Sequence, residues 1–443
     1  MECAASGAGG SLGCLQRSVA IEQNDTNPEL AVYVGISHIG NRRLASARVA
    51  VAMLVAYGCA AERSDSTAVV TDSAGVEIVE STGFSWPEGH GWRLGGEPTF
   101  DIGILEGDPA YEFFRIAGAR RLTDGRVVVA DAGTSEIRYY DSSGSHLLSI
   151  GGEGGGPGEF GGIWSITSTP EDTLLVVDWR NRRISYFDPS GALARSLQPR
   201  FLGESGGFPM IVAPFEDGTV LTGVRTYFGP GEFATGLSRD QIVYVRSDPD
   251  GALMDTLAVR PGGEMHGMAQ EDRRIVGGRP FGRNPQYAVF GNGFFHGSSD
   301  SYEIEFIDNT GKLIRSLRRP VPSMEVTSAD IQAYKQEQIE NAGDERQRQI
   351  NQTLLDAVTF PDVFPAYSSF LTDAEGNLWI AVYRRPGDDQ PRWTVFGPDG
   401  RALGEVQTRE RFRIFQIGAD FVLGRWTDDL DVQHVLMFEL LKQ

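Results

Sequence analysis

The chain has only three cysteines, Cys3, Cys14 and Cys59, and none beyond Cys59. That leaves most of the molecule without a disulfide framework or a cysteine-based zinc cluster. Histidine is almost as scarce: His38, His90, His146, His266, His296 and His434 form no HxH or HExxH motif and follow no regular spacing. There is no GxSxG nucleophile elbow. The glycine run Gly151–Gly156 lacks the Lys-Ser/Thr and the helix that a phosphate loop needs, and a strand pattern follows it, so it reads as a connection between strands. The apolar run Val49–Gly58 is about half the roughly 20 residues needed to cross a bilayer. Positive charge is in deficit, 40 basic against 60 acidic residues for a net charge of −20. Such a surface repels nucleic acid and anionic headgroups, which makes both poor partners, and it equally serves simple solubility.

What the chain has is glycine, 55 residues of it, and turn signals every 8 to 12 residues, the pattern of an all-β protein. It also repeats itself. Asp131, Ile137, Tyr140, Asp141 and Gly144 recur at a 47-residue offset as Asp178, Ile184, Phe187, Asp188 and Gly191. Each copy is an apolar run ending in Asp, a polar loop, an alternating run, a glycine turn and a last strand, which is the meander of a propeller blade. Five complete units fall at roughly 112–151, 159–198, 207–258, 284–318 and 365–406, with turns ending at Gly144, Gly191, Gly251, Gly311 and Gly400. Gly supplies the positive φ of these turns, and Asp or Asn bonds the local backbone. Three strands remain at the C-terminal end, Phe412–Gln416, Phe421–Trp426 and Val432–Leu440. The segment 98–103 (PTFDIG) leads into EGDPAYEF as LLSIG leads into GEGGGPGEF, so it shares the phase of a last strand and completes a sixth blade; GVEIVE at 75–80 is a second strand candidate. The expectation is an all-β, six-bladed β-propeller closed by an N-terminal strand, which removes the open edges. A small helical insertion at about 324–360 interrupts it, marked by the capping pattern Thr327–Asp330, the stripe Ile350, Leu354, Leu355 and Val358, and a break at Gly343.

Upstream, Arg42, Arg43 and Arg48 precede the apolar run, which ends at Cys59. A basic segment, about ten apolar residues and a small residue before the cleavage point describe an export signal; a buried apolar strand is the alternative. The segment resembles a bacterial lipoprotein signal, which implies lipidation of Cys59, although Ala56 and Tyr57 depart from the usual pattern. Residues 1–40 then read as lying before the true start. Residues 1–58 are thus the extension and signal, 59–73 a small, polar tether, and 74–443 the propeller.

The recurring VVVAD…IRYYDSSG…GGPGEF and LLVVD…NRRISYFDPSG resemble NHL-repeat proteins. With EGDPAYEF, RRLTDGRVVVAD and EGNLWI…WTVFGPDG, the span 75–440 resembles the exported six-bladed propeller lipoproteins of bacteria. The resemblance implies a propeller on a lipid anchor, exported and held at the outer membrane facing periplasm or cell surface, and it implies no activity.

In an up-and-down blade the first and third turns lie on one face of the disc and the remaining connections on the other. The first set is uniformly short. The second includes 151–160, 225–241, 260–285, the insertion 319–364 and 383–392. Long insertions confined to one face mark a binding face. Trp164, Trp179, Arg180 and Arg115 lie there and form the candidate binding face, an aromatic beside a guanidinium being a ligand platform. Asp131 and Asp178 read as strand-end carboxylates that accept backbone N–H groups rather than as metal ligands, with Arg138, Arg182 and Arg183 pairing either with them or with a neighbouring blade. The propeller lyases related to NHL proteins place His at the start of several inner strands, whereas here FRIAGARRL, GGIWSITST and FPMIVAPFE carry none. The first reading is a non-catalytic binding module for a protein, peptide or glycan ligand of the cell envelope, touching the membrane only through its anchor and needing no cofactor. The alternatives are a Ca2+-dependent lactonase or related hydrolase acting at the central channel, and an envelope assembly scaffold. A ring of three or four carboxylate or Asn oxygens at one channel mouth would favour the hydrolase, and its lack the others.

Overall fold

A computed structural model describes residues 67–198, 209–225, 235–270 and 273–442. Cys59 and the signal segment lie outside these. Six sheets form a six-bladed β-propeller. In chain order, blades 1 to 5 occupy 116–151, 163–197, 209–278, 286–318 and 367–407; blade 6 joins 412–442 to 92–102.

The burial of each strand follows from its place in its blade. Val127–Asp131 and Leu174–Asp178, second strands of blades 1 and 2, are buried at every residue, because another blade covers each face. The fourth strands, His146–Gly151 and Leu193–Leu197, alternate half-buried and exposed positions as a rim strand must. Period-two alternation also sorts the core between neighbours. Val128 and Ala130 pack with Ile166, Leu174 and Val176 of blade 2, while Val127 and Val129 pack with Leu423 and Val435 of blade 6. The two repeated carboxylates hold corners, as the sequence suggests. Asp131 accepts the backbone N–H groups of Phe114, Arg115 and Gly133, and Asp178 those of Gly161, Gly162 and Asn181.

The ring closes where expected. Gln433–Lys442 pairs antiparallel with Phe100–Ile102 (Val435 opposite Ile102) and then with Trp92–Leu94. The other N-terminal candidate has a different use. Val76–Ser81 joins the outer edge of blade 4, parallel to Leu313–Arg318, with Val79 opposite Leu317 and Glu77 paired to Arg315. It forms a hairpin with Ala68–Ser73, residues expected to be tether. That strand escapes a hydrophobic reading because all but Ala68 is exposed; backbone pairing alone makes it a strand. Between the two ends, Ser85 and Trp86 donate to Ala402 and Leu403 on blade 5, and the rings of Trp86, Trp92 and Trp379 stand in series at 5.2 and 5.9 Å. Residues 68–102 are therefore a strap across blades 4, 5 and 6.

Blade 3 departs from the sequence expectation. The stretches 225–241 and 260–285, read as loops, contribute an extended hairpin of Gly236–Ser247 and Leu253–Gln270, with Arg273–Gly278 as a fifth strand. Pairing satisfies backbone groups that a long loop would leave open. Ion pairs anchor it: Arg225 to Asp240 at 2.8 Å and Arg239 to Asp300 at 2.9 Å.

Two predictions follow from the core and the strap. Truncation before Asp108 should open the edge at Gln433–Lys442 and replace one cooperative thermal transition by a broad one; Phe100→Ala, at a residue buried in the closing seam, should cost about 3–5 kcal/mol in urea unfolding. A truncated chain as cooperative as the parent would rule the closing role out. The second concerns His296, buried between blades 3 and 4 and 3.0 Å from the Tyr244 hydroxyl. Burial, with Arg260 and Arg239 nearby, pushes its pKa down to about 3. The unfolded chain therefore takes a proton below about pH 6.5 that the folded chain refuses, so stability falls as the solution is acidified. Between about pH 6.5 and about pH 4.5 this group should remove about 2 kcal/mol, and His296→Gln should flatten that part of the profile. Parallel profiles for the two proteins would refute the assignment.

Candidate functional site

The innermost strands of the six blades are Ile116–Arg121, Ile163–Ser168, Pro209–Pro214, Gln286–Phe290, Tyr367–Thr372 and Phe412–Ile417. They surround a central cavity of about 1270 Å³. Its two ends differ in charge. At the short-turn end stand Asp172, Glu216 and Asp373. Asp172 is held by the backbone N–H and hydroxyl of Thr123. Asp373 accepts from the Asn377 amide and from Trp379 Nε1. Deeper in the channel Arg120 donates to the carbonyls of Phe415 at 2.6 Å and Ala119 at 2.9 Å. Burial lowers its pKa to about 10 and raises that of its neighbour Tyr287 to about 12. Arg120 stays charged and Tyr287 neutral at any physiological pH.

The long-loop end is lined by Arg384, Arg392, Arg411, Arg413 and Arg425. Three of these are engaged: Arg384 donates to the Asp388 carbonyl at 3.1 Å, Arg392 lies 3.3 Å from Glu405, and Arg411 lies 2.5 Å from Asp431. Arg413 and Arg425 sit directly opposite one another on adjacent antiparallel strands, and neither has a carboxylate partner among the described residues. Burial, and then Arg413, lower the pKa of Arg425.

The helical insertion sits beside this mouth. Helices α1 (Ser328–Glu340) and α2 (Glu345–Ala357) form as the sequence indicates, with the capping box of Thr327 and Asp330 in place. Leu355 is buried, and Ile350, Leu354 and Val358 are half-buried. Tyr334 of α1 and Phe360 pack on Phe281, and Phe281 packs on Phe364, which meets Tyr383. Arg385 pairs with Asp330 at 2.7 Å. The insertion therefore grips the loop 382–392, whose Arg384, Pro391 and Arg392 line the channel.

Of the four residues singled out from sequence, three come together. Arg115 and Arg180 line one depression of about 400 Å³ with Phe114 and Glu153, and the Arg180 guanidinium lies 5.2 Å from the Trp179 ring. Trp164 is 47% exposed on the inner strand of blade 2 and lines neither cavity. The channel arginines were missed. For Arg120, Arg121 and Arg413 a signal stood in FRIAGARRL and FRIFQI, inner strands carrying cations, but histidine and carboxylates are what a catalytic reading looks for; Arg425 lies on a second strand and had no such signal.

A calcium-dependent lactonase would need a ring of oxygen ligands at one channel mouth. Among the described residues no three of His, Cys, Asp and Glu are grouped to hold a metal ion. Asp172 and Asp373 are committed to neighbours, and the opposite mouth is cationic.

No family model matches the chain, and no curated protein matches it. Among solved structures it is similar to a protein of Bacteroides fragilis named as exported, at 12% identity over 83% of this chain and 99% of that one, with a TM-score of 0.47. A member of the DUF4221 family from Bacteroides vulgatus is similar at 12% identity over 80% and 99%, TM-score 0.49. A gluconolactonase from Xanthomonas campestris is similar at 12% identity over 78% and 99%, TM-score 0.41.

Proposed function

We propose that the protein is a non-catalytic binding module of the cell envelope, exported, lipid-anchored at the outer membrane through Cys59, that takes a protein, peptide or glycan ligand on its long-loop face. The observation that carries the binding reading is the asymmetry of the disc. The extended hairpin of blade 3, the docked helices and the loop 382–392 all belong to one face, where Arg180 and Trp179 stack in the open. Elaboration of a single face is what a binding role requires and what ring stability does not. The hydrolase alternative is disfavoured by the donor set of the channel. The anchor rests on the sequence 42–59 alone.

The face is tested by Trp179→Ala and Arg180→Ala. Trp179 is 44% exposed, so both variants should keep the wild-type melting temperature. Each should weaken capture of envelope proteins or glycans by roughly tenfold, the scale of losing one exposed stacking anchor. Undiminished capture by both would sink the reading. The anchor is tested separately: labelled palmitate should mark the wild type, and Cys59→Ser should move the protein to the soluble fraction. Unchanged membrane association of that variant would defeat it.

A further inference from the structure

The feature that neither folding nor the face reading explains is the pair Arg413 and Arg425. The chain has 60 acidic residues and 40 basic ones, so carboxylates to pair with are in excess. Yet these two guanidinium groups stand opposite one another on neighbouring strands, an arrangement that like charges disfavour. Arg425 is half-buried, and its Nε is shielded from solvent with no hydrogen-bond partner. The Nε atoms of Arg183 and Arg246 are in the same position, but those side chains bond through their other nitrogens, Arg183 to backbone carbonyls and Arg246 to Asp255. Arg425 has no bond of that kind among the described residues. The Arg413 guanidinium lies 5.6 Å from the ring of Phe415, and it has no hydrogen bond or ion pair among the described residues. Both line the channel, on the side of the long-loop face, with Trp393 and Phe415 as apolar wall.

From this we infer that Arg413 and Arg425 form an oxyanion-binding site at the long-loop mouth of the channel, taking a carboxylate or phosphate group of a small molecule. Guanidinium groups present planar, forked donors that match the two oxygens of such a group. A bound oxyanion converts the repulsive pair into a bridged one, accepting from the terminal nitrogens of both guanidinium groups. The cavity, about 1270 Å³, exceeds the volume of a typical small-ligand pocket. The remainder of the ligand thus has room to extend down the channel, whose wall also carries Arg120 and Tyr287. The inference deepens the binding reading above and rests on it in one respect, that ligand enters from the long-loop face.

The test uses the full chain and three probes, citrate, glucuronate and inorganic phosphate, each matched with chloride for ionic strength. Intrinsic tryptophan fluorescence, to which Trp393 contributes, and the thermal midpoint are the readouts. At least one probe should bind the wild type and raise its midpoint. Arg413→Gln and Arg425→Gln should each weaken that binding by about tenfold or more, the loss expected for a charge-assisted hydrogen bond. Without ligand, each single variant should melt no lower than the wild type, because repulsion has been relieved. Preference for citrate and glucuronate over phosphate would assign a carboxylate ligand, and the reverse a phosphate. Equal binding by wild type and double variant, no binding of any probe, or a clear drop in the midpoint of the unliganded variants would overturn the site. If the probes fail while Trp179→Ala still loses capture, the channel site is wrong and the face reading stands. If the probes bind but Trp179 and Arg180 prove irrelevant, the channel site stands alone.

Discussion

The structure depends on one pairing made across the whole length of the chain, that of Gln433–Lys442 with the segment 92–102. Each blade buries its two faces only because a neighbour stands on each side, so an open ring leaves the first and last blades half-covered. The closing strand brings Phe100 and Ile102 into the same core as Val127, Val129 and Val435. It thereby gives blade 1 and blade 6 their shared interior. The same N-terminal segment has already covered the outer edge of blade 4 and bonded to blade 5 before it reaches blade 6. Closure is thus fastened to three consecutive blades. The cost is kinetic, since contacts so distant in sequence form slowly.

A closed ring fixes what may line the channel. Second and third strands spend their side chains on the two interblade cores, as the fully buried Val127–Asp131 and Leu174–Asp178 illustrate. Positions free of that demand lie on the innermost strands and at the mouth end of the second strand of blade 6, where Arg425 is half-buried. Phe412–Ile417 shows the division: Phe412, Ile414 and Ile417 are buried, and Arg413 between them is exposed to the channel. Residues at such positions are not required by packing, so their chemistry reports on what the channel holds.

Much of the fold was legible because it is written in repeated local signals. The Asp-to-Gly turns, the apolar runs ending in Asp and the phase of PTFDIG each rest on chemistry within a few residues. Asp141 illustrates it, accepting from the backbone of Ser143 and Ser145 while Gly144 takes φ of 89°. The capping box at Thr327 was legible for the same reason. Elements held by backbone pairing alone were not. Ala68–Ser73 is an exposed edge strand, and the hairpin extension of blade 3 is rich in Gly and charge, so neither shows a hydrophobic period. Arg115, Trp179 and Arg180 were found because they flank a repeated corner. The opposition of Arg413 and Arg425 is a matter of register between strands, which no local pattern displays.

An anion site inside a protein of net charge −20 sets two electrostatic terms against each other, and distance decides between them. The surface carboxylates repel an approaching anion, but solvent ions confine that field to about 8 Å at physiological ionic strength. Within the channel the walls exclude much of that screening, and the nearest charges are arginines. Only three of the 40 basic residues are lysine, so the choice of guanidinium is general to the chain; its placement in unpaired opposition is not. Salt therefore acts on approach and on contact in opposite senses, easing the first and weakening the second. A site that merely attracted anions at long range would gain nothing from setting two guanidinium groups directly opposite one another in the channel wall. Such placement matters only at contact, where forked donors distinguish an oxyanion from chloride, and that is where the two arginines stand.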